Sequence, residues 1–289
     1  MHMLAETIIG GLTIGGAYII VALGLAIVYG VSEVMNFAHG SLIMMAAYIA
    51  WILSTTVLSG LPLPLLFVIV PPIMFGVGML IERGILRPLR RQPNWATTAI
   101  VVTLGLALVM NNTLLVTFGP LGRYVPPVIE QIIKVGGFSV PAYRLMIMGI
   151  SIGLVIGLIY FLKKTRLGLS MRAVPQDIVG ANIVGIPSDK VFNFTFGLSA
   201  AIAAVGGIFM SSIYMLSPEG GWLLFIKAFV IVLLAGAGSM TGAIISSFIL
   251  GILESIVQWQ MGSLWIMPFW FVAFLIRRSV RPKGLFGIR

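Results

Sequence analysis

Five groups of polar residues in this chain have types and spacings that could do chemistry. The first is Glu33, Asn36, His39 and Gly40, set three and four residues apart. A helix would place all four on one face. This block reads either as a broken helix beside a solute path or as a hydrogen-bond cluster between helices. The second is Asn111-Asn112, inside a long apolar run. Adjacent amides point to different azimuths, so at least one must face protein or water, as interhelical glue or as a solute contact. The third is the stretch from Arg166 to Lys190. Pro175 and Gln176-Asp177 have the form of a helix start, and Gly185 with Pro187 that of its end. The short amphipathic helix between them suits either docking into a groove on a partner or resting on lipid headgroups. The fourth is Lys227, followed by Leu234-Ala235-Gly236-Ala237-Gly238-Ser239; here the lysine is expected to snorkel to the interface and the glycines to mark a tight turn. The fifth is Glu254, an acid inside an apolar window.

Other chemistry is excluded by what is missing. The sequence has no cysteine, two histidines without a His-Glu-x-x-His pattern, and no Gly-x-x-x-x-Gly-Lys-Ser/Thr phosphate loop. Zinc hydrolysis, thiolate catalysis and nucleotide hydrolysis by this chain are therefore not expected. An intramembrane enzyme would have to rest on His39 and Glu254, from which no mechanism assembles. An ion-coupled secondary carrier would rest on Glu254, Asn111 and Asn112, and remains the alternative to a subunit driven from outside.

The elements that must position these residues follow from composition. Of 289 residues, 59% are hydrophobic and 9% charged, with mean hydropathy +1.10. Soluble domains carry about 25% charged residues, so a cytosolic enzyme, a disordered chain and a nucleic-acid binder are excluded. About 20 apolar residues per crossing allow on the order of eight spans. The expected fold is all-α, one membrane domain over 1–289, a helical bundle of eight or nine spans with ten as the upper limit. Charge-free windows and turn signals place them at about 7–29, 34–54, 62–82, 95–118, 142–162, 191–213, 223–238, 240–258 and 263–278. The segment 223–238 is short enough to be broken or re-entrant. Small residues at Gly11/Gly15, Gly153/Gly157 and Gly238/Gly242 are expected to let helices pack closely.

Fourteen of the 18 basic residues fall in three clusters, at 83–91, 163–190 and 277–289. The positive-inside rule puts all three in the cytoplasm. The carboxyl terminus is then cytoplasmic and the amino terminus periplasmic. The net charge of +10 reflects orientation against an anionic leaflet, not an acidic partner.

Asn36-Phe37-Ala38-His39-Gly40 resembles the block after the first span of LivH-type branched-chain amino acid permeases. So, in order, do Arg172-Ala173 with Asp177, Ala181 and Gly185-Ile186, then Lys227-Ala228-Phe229, Gly238-Ser239, and Arg281-Pro282-Lys283-Gly284-Leu285-Phe286-Gly287. The resemblance runs nearly end to end; Ala235 stands where a second glycine is expected. It implies the fold of an ABC importer permease in the bacterial inner membrane, importing branched-chain amino acids or a related amino acid, amide or carboxylate. It implies partners: two ATP-binding cassette subunits that hold ATP and Mg, a second permease of LivM type, and a periplasmic binding protein, with no cofactor in this chain. It also assigns Arg172, Ala173, Asp177, Ala181 and Gly185 to a coupling loop at about 163–190. Asn36, His39, Gly40, Asn111 and Asn112 become candidates for the translocation path.

Overall fold

The computed structural model of the protein describes residues 2–57, 63–124, 129, 131–135, 138–213, 215–236 and 238–280. Most of the stretch 59–64, which the sequence marks as a turn between the second and third spans, Ala237 and the 281–287 motif lie outside them.

The chain folds as a helical bundle arranged around α1 (His2–Ser32). From Gly15 to Val28 every residue of α1 is buried. A helix apolar on all sides belongs in the interior of a bundle, and α1 accordingly lies inside; the other main helices follow it in the chain. These are α2 (His39–Ile52, extended by a π turn to Val57), α3 (Leu66–Ile81) and α5 (Trp95–Phe118), then α6 (Ala142–Lys164) and α9 (Ser188–Ile213). The last three are α10 (Gly220–Ala235), α11 (Met240–Met261) and α12 (Ile266–Val280). Among the described residues, six helices are long and apolar enough to cross a membrane; α2 with its π turn, α10 and the stretch 263–276 add three shorter apolar segments. This agrees with the expected eight to ten, and the chain is a multi-pass membrane protein.

Without a hydrophobic drive between helices in lipid, contact depends on how closely backbones approach. Gly11 and Gly15 meet the backbone of α11 at Ile252 and Phe248, while Gly251 of α11 returns the contact. The equally spaced Gly153 and Gly157 of α6 touch nothing beyond their own helix among the described residues, so the close packing expected there does not occur within the chain. α5 and α6 instead present Val101, Val109, Ile156 and Tyr160 outward, as helices facing lipid or another subunit do.

Four boundaries differ from the sequence expectation. α3 does not stop at the arginines but continues through a π turn (Glu82–Leu86) into α4 (Arg87–Leu89). The second span begins at His39, not at Val34. A short hairpin, β1 (Ile132–Val135) with β2 (Phe138–Pro141), joins α5 to α6 in a fold expected to be helical throughout. Finally, the stretch after α6 holds two helices: α7 (Arg166–Ala173) precedes the expected α8 (Ile178–Ile183).

Candidate functional site

The helix break before His39 is built from local hydrogen bonds. The Ser32 hydroxyl donates to the Val28 carbonyl at 2.8 Å, closing α1. Glu33 then adopts φ 58°, a left-handed conformation that ends any right-handed helix. The Asn36 side-chain oxygen accepts from the Ala38 amide at 3.0 Å, and the Asn36 carbonyl accepts from the His39 amide, so Asn36 opens α2. Glu33, Asn36, His39 and Gly40 therefore do not share a helix face. The nonhelical backbone survives inside the bundle because protein groups satisfy it: the Phe37 amide donates to Thr103 Oγ1 of α5.

His39 is fully buried and its Nε2 lies 2.9 Å from the Val21 carbonyl, which can only accept, so Nε2 carries the proton. This carbonyl contact makes His39 an anchor between α2 and α1. Gly40 faces Gly221 in the first turn of α10: a Cβ on Gly40 would lie 2.0 Å from the Gly221 carbonyl oxygen. Two helix starts thus cross inside the bundle with no side chain between them. Asn36 is 3% exposed, close to a water-sized void beside Thr103 and Arg90.

Asn111 and Asn112 diverge as their adjacency requires. Asn112 is exposed and donates to the Leu108 carbonyl of its own helix. Asn111 lines a cavity of about 380 Å³ between α5, the start of α10, and Met267 of α12.

Lys227 and Glu254 correct the sequence reading. Lys227 does not reach the interface; it is 2% exposed, and its Nζ donates to Glu254 Oε1 at 2.7 Å and to the Tyr18 hydroxyl. Tyr18 donates in turn to Glu254 Oε2 at 2.8 Å, and Trp270 Nε1 donates to the same oxygen at 2.9 Å. One buried ion pair thereby joins α1, α10, α11 and α12. The signal was present in the sequence: two opposite charges inside apolar windows need partners, and each is the other's. Glu254 is thus committed to Lys227 and is not the free acid an ion-coupled carrier or an enzyme would use.

A second charged cluster, not anticipated, ties α3 and α4 to α9. Arg90 donates to the fully buried Glu82 and, at 2.9 Å, to Asp189; Arg87 also pairs with Asp189. Asn193 donates to Glu82 Oε2 at 2.9 Å, and the Arg90 guanidinium stacks over Phe192. These arginines do more than set orientation: they hold the basic end of α3 against the helix that follows the 163–190 loop.

The loop itself is ordered by caps. Thr165 Oγ1 accepts from the Gly168 amide to start α7, and Asp177 Oδ1 accepts from the Gly180 amide at 2.9 Å to start α8. Gly185 ends α8 with φ 86°, a conformation that favours glycine. Asn182 Oδ1 accepts from the Ser188 amide and fixes the loop to the start of α9. Ala181 is buried under α8 and Ala173 half-buried, whereas Arg172, Asp177 and Gly185 are exposed. Ile178, Val179, Ile183 and Val184 stand out from this basic end with 45% to 80% of their surface exposed.

The sequence model of the branched-chain amino acid transport system permease component matches residues 7–276. The chain belongs to that family. It is 28% identical to the high-affinity branched-chain amino acid transport system permease protein BraD of Pseudomonas aeruginosa, over 98% of this chain and 95% of that one. The same figures hold for the permease protein LivH of Escherichia coli K12. A probable LivH of Methanocaldococcus jannaschii is 28% identical over 88% of this chain and 81% of its own. Among solved structures, PsaBC from Streptococcus pneumoniae in complex with Fab aligns with TM-score 0.54 over 95% of this chain and 91% of that one; at 16% identity this likeness shows the fold alone. A member of this family is a transport subunit rather than an enzyme, and the alternative of a self-sufficient carrier finds no support.

Proposed function

We propose that this permease is the membrane subunit of an ATP-driven importer for branched-chain or closely related amino acids, and that α8 is the lever by which separate ATPase subunits move it. The observation that carries the reading is the surface of α8: a capped, ordered helix at the basic end holds four large apolar side chains out of the bundle. A linker needs no such order, and exposed apolar patches mark contact with a partner. ATP and Mg belong to those ATPase subunits. A second permease, of LivM type or identical, covers the outward faces of α5 and α6, and a periplasmic binding protein supplies cargo. By the positive-inside rule the α8 end is cytoplasmic, in the inner membrane, with the amino terminus periplasmic.

The lever has a route inward. α8 is tied to the start of α9 through Asn182, and Asp189, one residue further, is tied to Arg87 and Arg90. Arg90 also borders the void under Val34, Met35 and Asn36, where the helix is broken. Closure of the ATPase subunits would tilt α9 and shift that break, giving the bundle two states biased by differential contacts.

In proteoliposomes holding the permeases, the ATPase chains and the binding protein, leucine uptake should require all of them and ATP. Asp177→Ala removes a cap worth about 1 kcal/mol of local helix stability. Uptake should then fall several-fold while the chain still inserts, and ATP hydrolysis should lose its dependence on loaded binding protein. Uptake by this chain alone along an ion gradient would end the reading.

A further inference from the structure

The cavity between α5 and α10 holds an acid that lies outside the two charged clusters. Each acid in the two charged clusters is ion-paired: Glu254 with Lys227, Glu82 with Arg90, and Asp189 with Arg87 and Arg90. Glu219, in the cavity wall and exposed in this chain, has no ion-pair partner among the described residues and is left free to meet a cation from outside. In the same lining Asn111 Oδ1 is buried and accepts no hydrogen bond among the described residues. An unpaired acceptor in such a place requires an explanation. The rest of the wall is apolar, formed by Leu104 and Leu108 of α5 and Trp222, Leu223 and Ile226 of α10.

We propose that this cavity is the chamber in which the solute pauses during passage, with Glu219 and Asn111 receiving its ammonium group and the leucines and Trp222 its side chain. The inference rests on the importer reading above and deepens it by naming where the cargo sits. A carboxylate and an amide oxygen are both acceptors, so their complement is a cationic group with several N–H donors. At about 380 Å³ the chamber lies at the small end of ligand sites, which span about 300–1,000 Å³. Its position fits a path: one wall begins at Glu219, where α10 starts, two residues from the Gly40–Gly221 crossing. Leu108 and Trp222 leave its outer side open, so the second permease would complete it.

The absence of native cysteine makes a direct test available. Leu104→Cys places one thiol in the wall, and the assembled transporter in proteoliposomes is treated with a cationic or an anionic methanethiosulfonate, the label being read on this chain by mass. The cationic reagent should react about tenfold faster than the anionic one, the size expected of one partly screened charge nearby. Leucine should slow the reaction in the background that transports it. Adding Glu219→Gln should bring the two rates together and abolish leucine protection, while Glu219→Asp should retain both effects. Reaction rates indifferent to reagent charge and to leucine, in a variant that still imports leucine, would overturn the chamber and leave the importer reading intact. A fully assembled, ATP-supplied transporter that imports neither leucine nor any other branched-chain or closely related amino acid would instead overturn the importer reading.

Discussion

Lys227→Met should cost the purified permease about 3–5 kcal/mol, because it leaves the Glu254 carboxylate buried without its cation. The neighbourhood magnifies the loss. Both side chains are about 3% exposed, and the aromatic rings of Tyr18 and Trp270 close the site, so no water can replace the ammonium. Tyr18 and Trp270 still donate to the carboxylate after the exchange, but neither neutralises it. The single variant should melt about 10 °C lower in detergent, at about 2–4 °C per kcal/mol for a chain of this size. The pair itself contributes much less than its breaking costs, since its mutual attraction is offset by desolvation of both ions. Lys227→Met with Glu254→Gln should therefore recover most of the lost melting temperature, the neutral amide oxygen still accepting from Tyr18 and Trp270. A single variant that melts with the parent would mean that the pair does not hold α10 to α1, α11 and α12.

Which parts were legible in the sequence depended on whether the signal was local. The caps of α8 were: Asp177 and Gly185 act through their own backbone within a few residues, and the sequence states both. Span number was legible because the apolar length of a crossing is a property of composition. The break before His39 was half legible. Polar residues at helical spacing suggested either a broken helix or a shared face, and only the Asn36 turn with the left-handed Glu33 decides for the break. Long-range partners were hidden. Gly11/Gly15 and Gly153/Gly157 have the same spacing, yet the first pair meets α11 and the second meets nothing among the described residues, because spacing describes one helix and not its neighbour. Lys227 and Glu254, considered one at a time, read as an interfacial lysine and a stray acid. Taken as two charges in lipid that must be compensated, they predict each other.

These long-range features share a location. The ion pair anchors α10 from one side at Lys227, and Gly221, less than two turns earlier, lies against Gly40 at the start of α2. α2 is held in turn by His39 on the Val21 carbonyl of α1. α2 and α10 are thus fixed to the same central helix and to each other. A movement passed from Asp189 through Arg90 to the break at 33–38 would reach α10 through that crossing.

Gly40→Ala is the sharpest probe of the crossing. The added methyl would lie 2.0 Å from the Gly221 carbonyl oxygen and 2.8 Å from both the Gly221 carbonyl carbon and Phe225 Cβ. Two of these atoms are backbone, which no rotamer change can clear, so α2 and α10 must separate by an ångström or more. Overpacking costs typically about 1–3 kcal/mol where side chains can yield, and here the cost should lie at or above the top of that range. Separation would also leave the His39 ring displaced from Val21 and open the bundle beside Asn36. The expected result is a permease that inserts poorly or loses all uptake. Gly221→Ala should behave alike, since its methyl would meet the Gly40 carbonyl oxygen at 2.5 Å. Gly157→Ala makes the same chemical change in a helix interior with nothing within 4 Å in this chain, so the isolated chain should hold or gain about 0.4–1 kcal/mol. Expression, melting temperature and leucine uptake of the three variants separate a steric crossing from a general intolerance of alanine. Parent-like stability and uptake in Gly40→Ala would show that the two helix starts do not touch in the working protein.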